Sequence, residues 1–241
     1  MGKSLEVIAT PALANLYNLE GKNVVVIDVL RATTTICTAL YNGATSIKPV
    51  ISTDLALEHN NKEYLLAAER GGEKVPGFQF GNSPREFSAN AVKGKKIVLT
   101  TTNGTKCIHL SHDGKRVMAG SFVNLTALAN YLISLPEDAV LFCAGWKDKF
   151  NLEDFLFAGA MVSALKPHFE MDCDAAEAAM DLYHAQNTNL NNYILKASHA
   201  KRFKNLGITE DIAICFSVDT YPIIPILENG CLVLRRANSI S

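Results

Sequence analysis

The sequence predicts an α/β protein. It reads as a mostly parallel sheet with helices on both faces, a C-terminal β-hairpin and a helical segment near residues 172–206. Three observations carry that reading. Short β-branched or apolar runs alternate with stretches of helical period, as where residues 24–27 precede Ile36, Ala39 and Leu40. Caps and turn residues mark the joints between them. Near the end, Asn229-Gly230 separates two apolar runs, the pattern of a two-residue hairpin.

The elements follow in order. Residues 5–8 read as a first strand. Thr10-Pro11 then opens a helix through residue 16, with proline at its first position. Residues 24–27 are the strongest early strand, and the helix after them stops at Asn42-Gly43. Residues 46–51 read as a strand, 53–60 as a helix and 64–68 as a strand. The glycine-rich loop 71–82 is longer than most connections, which favours a functional loop. Ser83-Pro84-Arg85-Glu86 has the form of a capping box and starts a short helix. Residues 97–100 and 116–119 are strands, with a turn and short helix between them. Helix 125–135 is stopped by Pro136, and strand 139–143 leads to Asn151, which caps helix 152–165. The segment 172–206 is helical and broken near 187–192. Residues 223–227 and 231–234 form the hairpin strands. The expected organisation is one α/β catalytic unit, 1–241. Two packed lobes, about 1–120 and 121–241, fit the same pattern.

The 241 residues are 48% apolar and 20% charged, values of an ordinary globular chain. The formal net charge of −1 argues for neither nucleic acid nor an anionic membrane as partner. No apolar run is long enough for a membrane span, and the N-terminus lacks the apolar core of a signal peptide. Six scattered cysteines without a C-x-x-C pair read as reduced, buried thiols, so the expected location is cytoplasmic.

Four strand ends carry unusual polar residues: 28–35, 69–82, 100–105 and 145–154. In open α/β sheets, ligands gather outside the carboxyl ends of strands. If the strands are parallel, all four loops open on one edge. Asp28 ends a buried strand, and Thr33, Thr34 and Thr35 form the first turn of a helix, where N–H groups attract anions. Arg31 and Arg70 offer forks that match phosphate or carboxylate. Asp28, Glu69 and Asp154 are hard oxygen donors without a His or Cys cluster, which suits Mg²⁺. Caps and turns explain each motif separately: the threonines as a cap, Asn103-Gly104 as a tight turn, Glu153 and Asp154 as first-turn acids. The convergence of four such ends is the argument for a site that performs metal-assisted phosphoryl transfer.

Known phosphate motifs are missing. There is no P-loop, no G-x-G-x-x-G after a strand, no Asp-x-Asp at residue 28 and no cysteine-phosphatase loop. The six histidines do not cluster and read as surface or core residues.

At these residues the chain resembles the 2-phosphosulfolactate phosphatase family. The matching pieces are Asp28-Val-Leu-Arg-Ala-Thr-Thr-Thr, Glu69-Arg70-Gly71 with Gly81-Asn82-Ser83-Pro84, Thr101-Thr102-Asn103-Gly104-Thr105, and Cys143-Ala144-Gly145 with Leu152-Glu153-Asp154. The resemblance implies a Mg²⁺-dependent acid phosphatase that converts 2-phosphosulfolactate to sulfolactate and phosphate, a step of coenzyme M biosynthesis. It also implies a homo-oligomer, with a dimer favoured. A small anionic phosphorylated substrate is the expected partner.

On that basis Asp28, Glu69 and Asp154 are expected to hold the metal, with Glu153 behind them or in place of one. Arg31 and Thr33, Thr34 and Thr35 would hold the phosphate. Arg70, Asn82, Thr102, Asn103 and Gly104 would orient it or the carboxylate. Lys147 and Lys149 could meet an extra anionic group. Asp28 could also act as a covalent nucleophile. A phosphatase or phosphotransferase for a related 2-phospho hydroxy acid fits the same residues. A non-catalytic phosphate-binding module is the reading from another class.

Overall fold

Strand β2, Asn23–Ile27, is buried along its whole length. Its side chains alternate between two cores: Val25 and Ile27 enter one, Val24 and Val26 the other. A strand buried on both faces needs a continuous β-branched run, and this sequence supplies one. The computed structural model describes residues 2–206 and 208–235. Besides β2, its strands are β1 (Leu5–Ile8), β3 (Ser46–Pro49), β4 (Tyr64–Arg70), β5 (Glu73–Lys74), β6 (Lys96–Thr100), β7 (Arg116–Gly120), β8 (Ala139–Cys143), β9 (Ile224–Glu228) and β10 (Cys231–Arg235). The helices are α1 (Ala32–Tyr41), α2 (Thr53–Leu57), α3 (Ala89–Val92), α4 (Gly104–Leu110), α5 (Leu125–Ser134), α6 (Leu152–Leu165), α7 (Asp174–Gln186), α8 (Leu190–Ile194), α9 (Ser198–Asn205) and α10 (Glu210–Cys215).

The ten strands form one sheet in the order β1-β8-β2-β7-β9-β10-β3-β6-β4-β5. The blocks β1-β8-β2-β7 and β3-β6-β4 are each parallel inside. The expected tail hairpin is present, but it is not an appendage. It sits in the middle of the sheet and joins the blocks through antiparallel pairing on both sides, β9 to β7 and β10 to β3. Asn229 (φ 50°) and Gly230 (φ 76°) make its turn, and both central residues of such a turn require positive φ.

Two antiparallel joints and the hairpin reversal leave the second block running opposite to the first. The four loaded strand ends therefore do not line one edge of a parallel ladder. They meet in space instead, around α1. This helix is buried from Ala32 to Leu40 and packs on both blocks. The Thr35 hydroxyl donates to the Asn82 carbonyl at 2.9 Å, and the Arg31 guanidinium reaches the Gly72 carbonyl.

Some local expectations change. Residues 11–16 form a 3₁₀ helix, and α2 stops at Leu57 after the Ser52 hydroxyl caps it. The Ser83–Glu86 capping box does not form. Ser83 donates instead to Asp211 at 2.7 Å, and Glu86 accepts from the Gly81 N–H. Ser83 answers a tertiary partner and Glu86 the loop before it, in place of their own helix start. All six cysteines are free, four of them buried. No helix among the described residues is long and apolar enough to cross a membrane.

Candidate active site

Asp28 follows directly on β2 and is 6% exposed. Its Oδ1 accepts from the Ala32 N–H at 3.2 Å, and its carbonyl accepts from the Thr33 N–H and hydroxyl. The helix start thus grips the aspartate that precedes it. The three threonines turn inward. Thr33 bonds the Asp28 carbonyl, Thr34 the Val29 carbonyl and Thr35 the Asn82 carbonyl, and all three are buried. None lines the pocket described below. Their hydroxyls fix the turn, where the sequence reading gave them to the phosphate.

Glu69, near the end of β4, is held as firmly. It accepts from the Gly72 N–H, the Thr102 N–H and the Thr102 hydroxyl. Thr102 is therefore an anchor for Glu69. Asn103 stands at the start of α4, and its Oδ1 accepts from the Lys147 N–H at 3.0 Å. Gly104 is where α4 approaches Asp28 most closely. A Cβ there would lie 2.6 Å from the Ala32 Cβ and 2.8 Å from Asp28 Oδ2, so only glycine leaves room.

Both predicted phosphate arginines are already engaged. Arg31 donates to Asp211 at 2.6 Å and to the Gly72 carbonyl, and it lies on the Phe203 ring. The Arg31–Asp211 pair is buried, at 4% and 3% side-chain exposure. Arg70 donates to the Glu69 carbonyl and the Thr100 hydroxyl and does not line the pocket.

Asp28, Arg31, Glu69, Asn82, Asn103 and His199 line a polar cavity, with Leu30, Gly72, Trp146 and Phe203 completing its wall. It is small, about 10 Å³, which admits about one water or a bare ion. Its cover comes from α9, through His199 and Phe203, and from Trp146 in the loop after β8. The Trp146 and His199 rings meet edge to face at 4.8 Å.

Asp154 and Glu153 stand behind the cavity. The two Asp154 oxygens accept from the Val29 and Gly145 N–H groups, each at 2.9 Å. Asp154 thus ties the loop after β2 to the loop after β8. Expected as a metal ligand, with a first-turn helix acid as the alternative, Asp154 spends its oxygens on these two loops, and it is not among the cavity-lining residues. Glu153 Oε1 pairs with His199 Nδ1 at 2.5 Å, and Asn151 Nδ2 lies 3.2 Å from the same nitrogen. His199 is 3% exposed and faces the site, contrary to the reading of every histidine as surface or ordinary core.

The electrostatics favour a cation. Burial pushes the Asp28 carboxyl up from 3.8 to about 6, helped by Glu69 and Glu153 and opposed by His199 and the Ala32 N–H. Burial, together with Asp28 and Glu153, also pushes Asp154 well up. Crowded, desolvated acids resist ionisation unless positive charge is supplied. Three buried side-chain atoms lack a hydrogen-bond partner among the described residues: Asn82 Oδ1, Glu153 Oε2 and Arg202 Nη1. All three belong to this region. Asn82 lines the cavity, Glu153 holds His199, and Arg202 stacks on Trp146 at 3.8 Å. Unpartnered buried groups are rare in native folds and call for an explanation.

The four-acid metal set does not assemble as expected. Among the described residues, no three His, Cys, Asp or Glu side chains form a metal-holding group. The donors that do fit are Asp28, Glu69 and the unpartnered amide oxygen of Asn82, all in the cavity wall. Two carboxylates and an amide oxygen match the habit of Mg²⁺, which takes few protein oxygens and keeps the rest of its shell for water and substrate.

The residues that sequence reasoning missed are His199, Phe203, Asp211, Trp146 and Arg202. Trp146 carried a usable signal, as the one tryptophan of the chain, in a loop after a predicted strand. The others lie on ordinary-looking helices.

The profile of the 2-phosphosulpholactate phosphatase family matches residues 8–230. A Thermotoga maritima protein named probable 2-phosphosulfolactate phosphatase is 44% identical over 219 residues, 90% of this chain and 94% of its own. One of the same name from Caldanaerobacter subterraneus subsp. tengcongensis is 41% identical over 222 residues, covering 90% and 92%. A third, from Clostridium novyi, is 34% identical over 210 residues, covering 86% and 89%.

Proposed function

Because the chain belongs to the 2-phosphosulpholactate phosphatase family, we propose that it hydrolyses 2-phosphosulfolactate to sulfolactate and phosphate with Mg²⁺ bound at the Asp28 cavity. The observation that carries this reading is the set of three unpartnered polar atoms around a cavity walled by two buried carboxylates.

Asp28, Glu69 and Asn82 would hold the ion, and hydrogen bonds to fixed backbone keep the two carboxylates in place before it arrives. The ion would offset phosphoryl charge as the ester bond breaks. Asp154 fixes the backbone on which Asp28 stands. Glu153 orients the His199 ring through Nδ1; with both ring nitrogens protonated, Nε2 is the position left to give a proton to the departing alkoxide as water attacks phosphorus. A cavity of about 10 Å³ is too small for a substrate with three acidic groups. In this reading α9 or the Trp146 loop shifts to admit the substrate and returns to exclude water. The active form is a cytoplasmic homodimer in this reading.

The direct test is phosphate release from a panel of phosphorylated 2-hydroxy acids, with Mg²⁺ and with chelator. Release from 2-phosphosulfolactate that chelator stops and Mg²⁺ restores is the expected result. Unchanged release in chelator would remove the metal. No release from any member of the panel would remove the enzyme reading in favour of a binding module.

A further inference from the structure

Resting on the reading above, we infer that Arg202 is the specificity residue that grips the sulfonate, the substrate's acidic group remote from the phosphoester. The argument starts from the positive charges near the cavity. Arg31 is neutralised by Asp211, and Arg70 is spent on the Glu69 carbonyl and the Thr100 hydroxyl. Lys147 and Lys149, candidates for such a group on sequence, are exposed on the outer side of the loop after β8.

Arg202 differs from all of these. Its guanidinium carbon lies 3.8 Å over the Trp146 ring, and Trp146 lines the cavity while Arg202 itself stands just outside that lining. Its Nη1 is buried and has no hydrogen-bond partner among the described residues. Stacking occupies the faces of the fork and leaves its N–H edge for an acceptor in the plane. Helix α9 places Arg202 three residues after His199 and one before Phe203, both in the cavity wall. Burial pulls its pKa down while Glu153 and Glu69 oppose the fall, so the fork lies within reach of the fields of both acids. Neither acid forms an ion pair with it.

A donor of this kind, set over an aromatic ring with one buried N–H edge unsatisfied, matches a weakly hydrated oxyanion. The sulfonate presents three acceptor oxygens with delocalised charge, and planar guanidinium suits that better than ammonium. The helix that covers the cavity would then carry the sulfonate contact, so closure and recognition of the acidic tail would be one event.

The test compares kcat/KM for 2-phosphosulfolactate and for 2-phospholactate, the same ester with a methyl group in place of CH₂SO₃⁻, in wild type, Arg202→Met and Arg202→Lys. The ratio of the two values should fall by about 100-fold in Arg202→Met, the size expected when one partner of a desolvated charge pair is removed, with Arg202→Lys between. A ratio that does not change overturns the inference, even if both rates fall. Titration calorimetry with sulfolactate in chelator is independent of turnover. Wild type should bind it and Arg202→Met should not. Equal binding, or none to wild type, overturns the inference. If wild type releases phosphate from neither ester, the function proposed above fails, while calorimetry still decides the role of Arg202.

Discussion

Replacing Asp28 by Asn should stabilise the metal-free fold while abolishing phosphate release. Asn preserves the acceptor for the Ala32 N–H and removes the charge that burial penalises. The Asp28 carboxyl sits at about 6 in the folded chain against 3.8 ordinarily. The folded chain thus binds a proton that the unfolded chain has released, and stability falls as pH rises from 3.8 to about 6. At about 1.36 kcal/mol per pH unit the cost is about 3 kcal/mol at pH 7, roughly half that at pH 5 and little at pH 4. The buried amide of Asn takes back about 1–2 kcal/mol, but that loss does not depend on pH. The signature is therefore the slope. In urea denaturation with chelator, the advantage of Asp28→Asn over wild type should grow by about 1–2 kcal/mol between pH 5 and pH 7. Added Mg²⁺ should stabilise wild type more than the variant, because it binds the folded state at the carboxylate. A stability gap that stays flat across this pH range would refute the claim that the folded pocket holds Asp28 against its charge. Near-normal turnover in the variant would remove Asp28 from the chemistry.

Three further outcomes follow from the geometry. Asp211→Asn leaves Arg31 charged and buried without its counter-ion, and should cost about 3–5 kcal/mol in chemical denaturation; a loss within error would show the pair to be dispensable. Asp154→Asn loses one of its two backbone N–H partners, about 1–3 kcal/mol, and regains part of that by removing a carboxyl that burial also penalises, so a small net loss is expected. The Mg²⁺ concentration that gives half-maximal rate should not move, and a large increase would return Asp154 to the metal ligands. Gly104→Ala drives a methyl against Ala32 and Asp28 Oδ2; the expected result is a steep fall in kcat with about 1–3 kcal/mol of strain, and unchanged kcat would show that the turn yields without disturbing Asp28.

The sequence by itself determined the elements and the part of the site that lies at strand ends. Strand β2 and helix α6 are written in local patterns, β-branched run and helical period, and α6 runs from Leu152 to Leu165 as its pattern predicts. The hairpin turn at Asn229-Gly230 is legible because few residues tolerate its backbone. Asp28, Glu69, Asn82 and Asn103 could be found because polar residues at the ends of buried strands are locally conspicuous, and the cavity unites them. Tertiary structure decided the rest. It put the hairpin at the centre of the sheet, a choice of strand partners that no local pattern encodes. It turned Thr33, Thr34 and Thr35 inward, since a helix packed on both blocks has no open face for them. It also gave Arg31 to Asp211 and His199 to Glu153, partners 180 and 46 residues apart in the chain. A side chain's partner depends on which helix folds over it. That is a property of packing, which explains why the helical segment holding α9 is legible in the sequence while the placing of His199, Arg202 and Phe203 over this site is not.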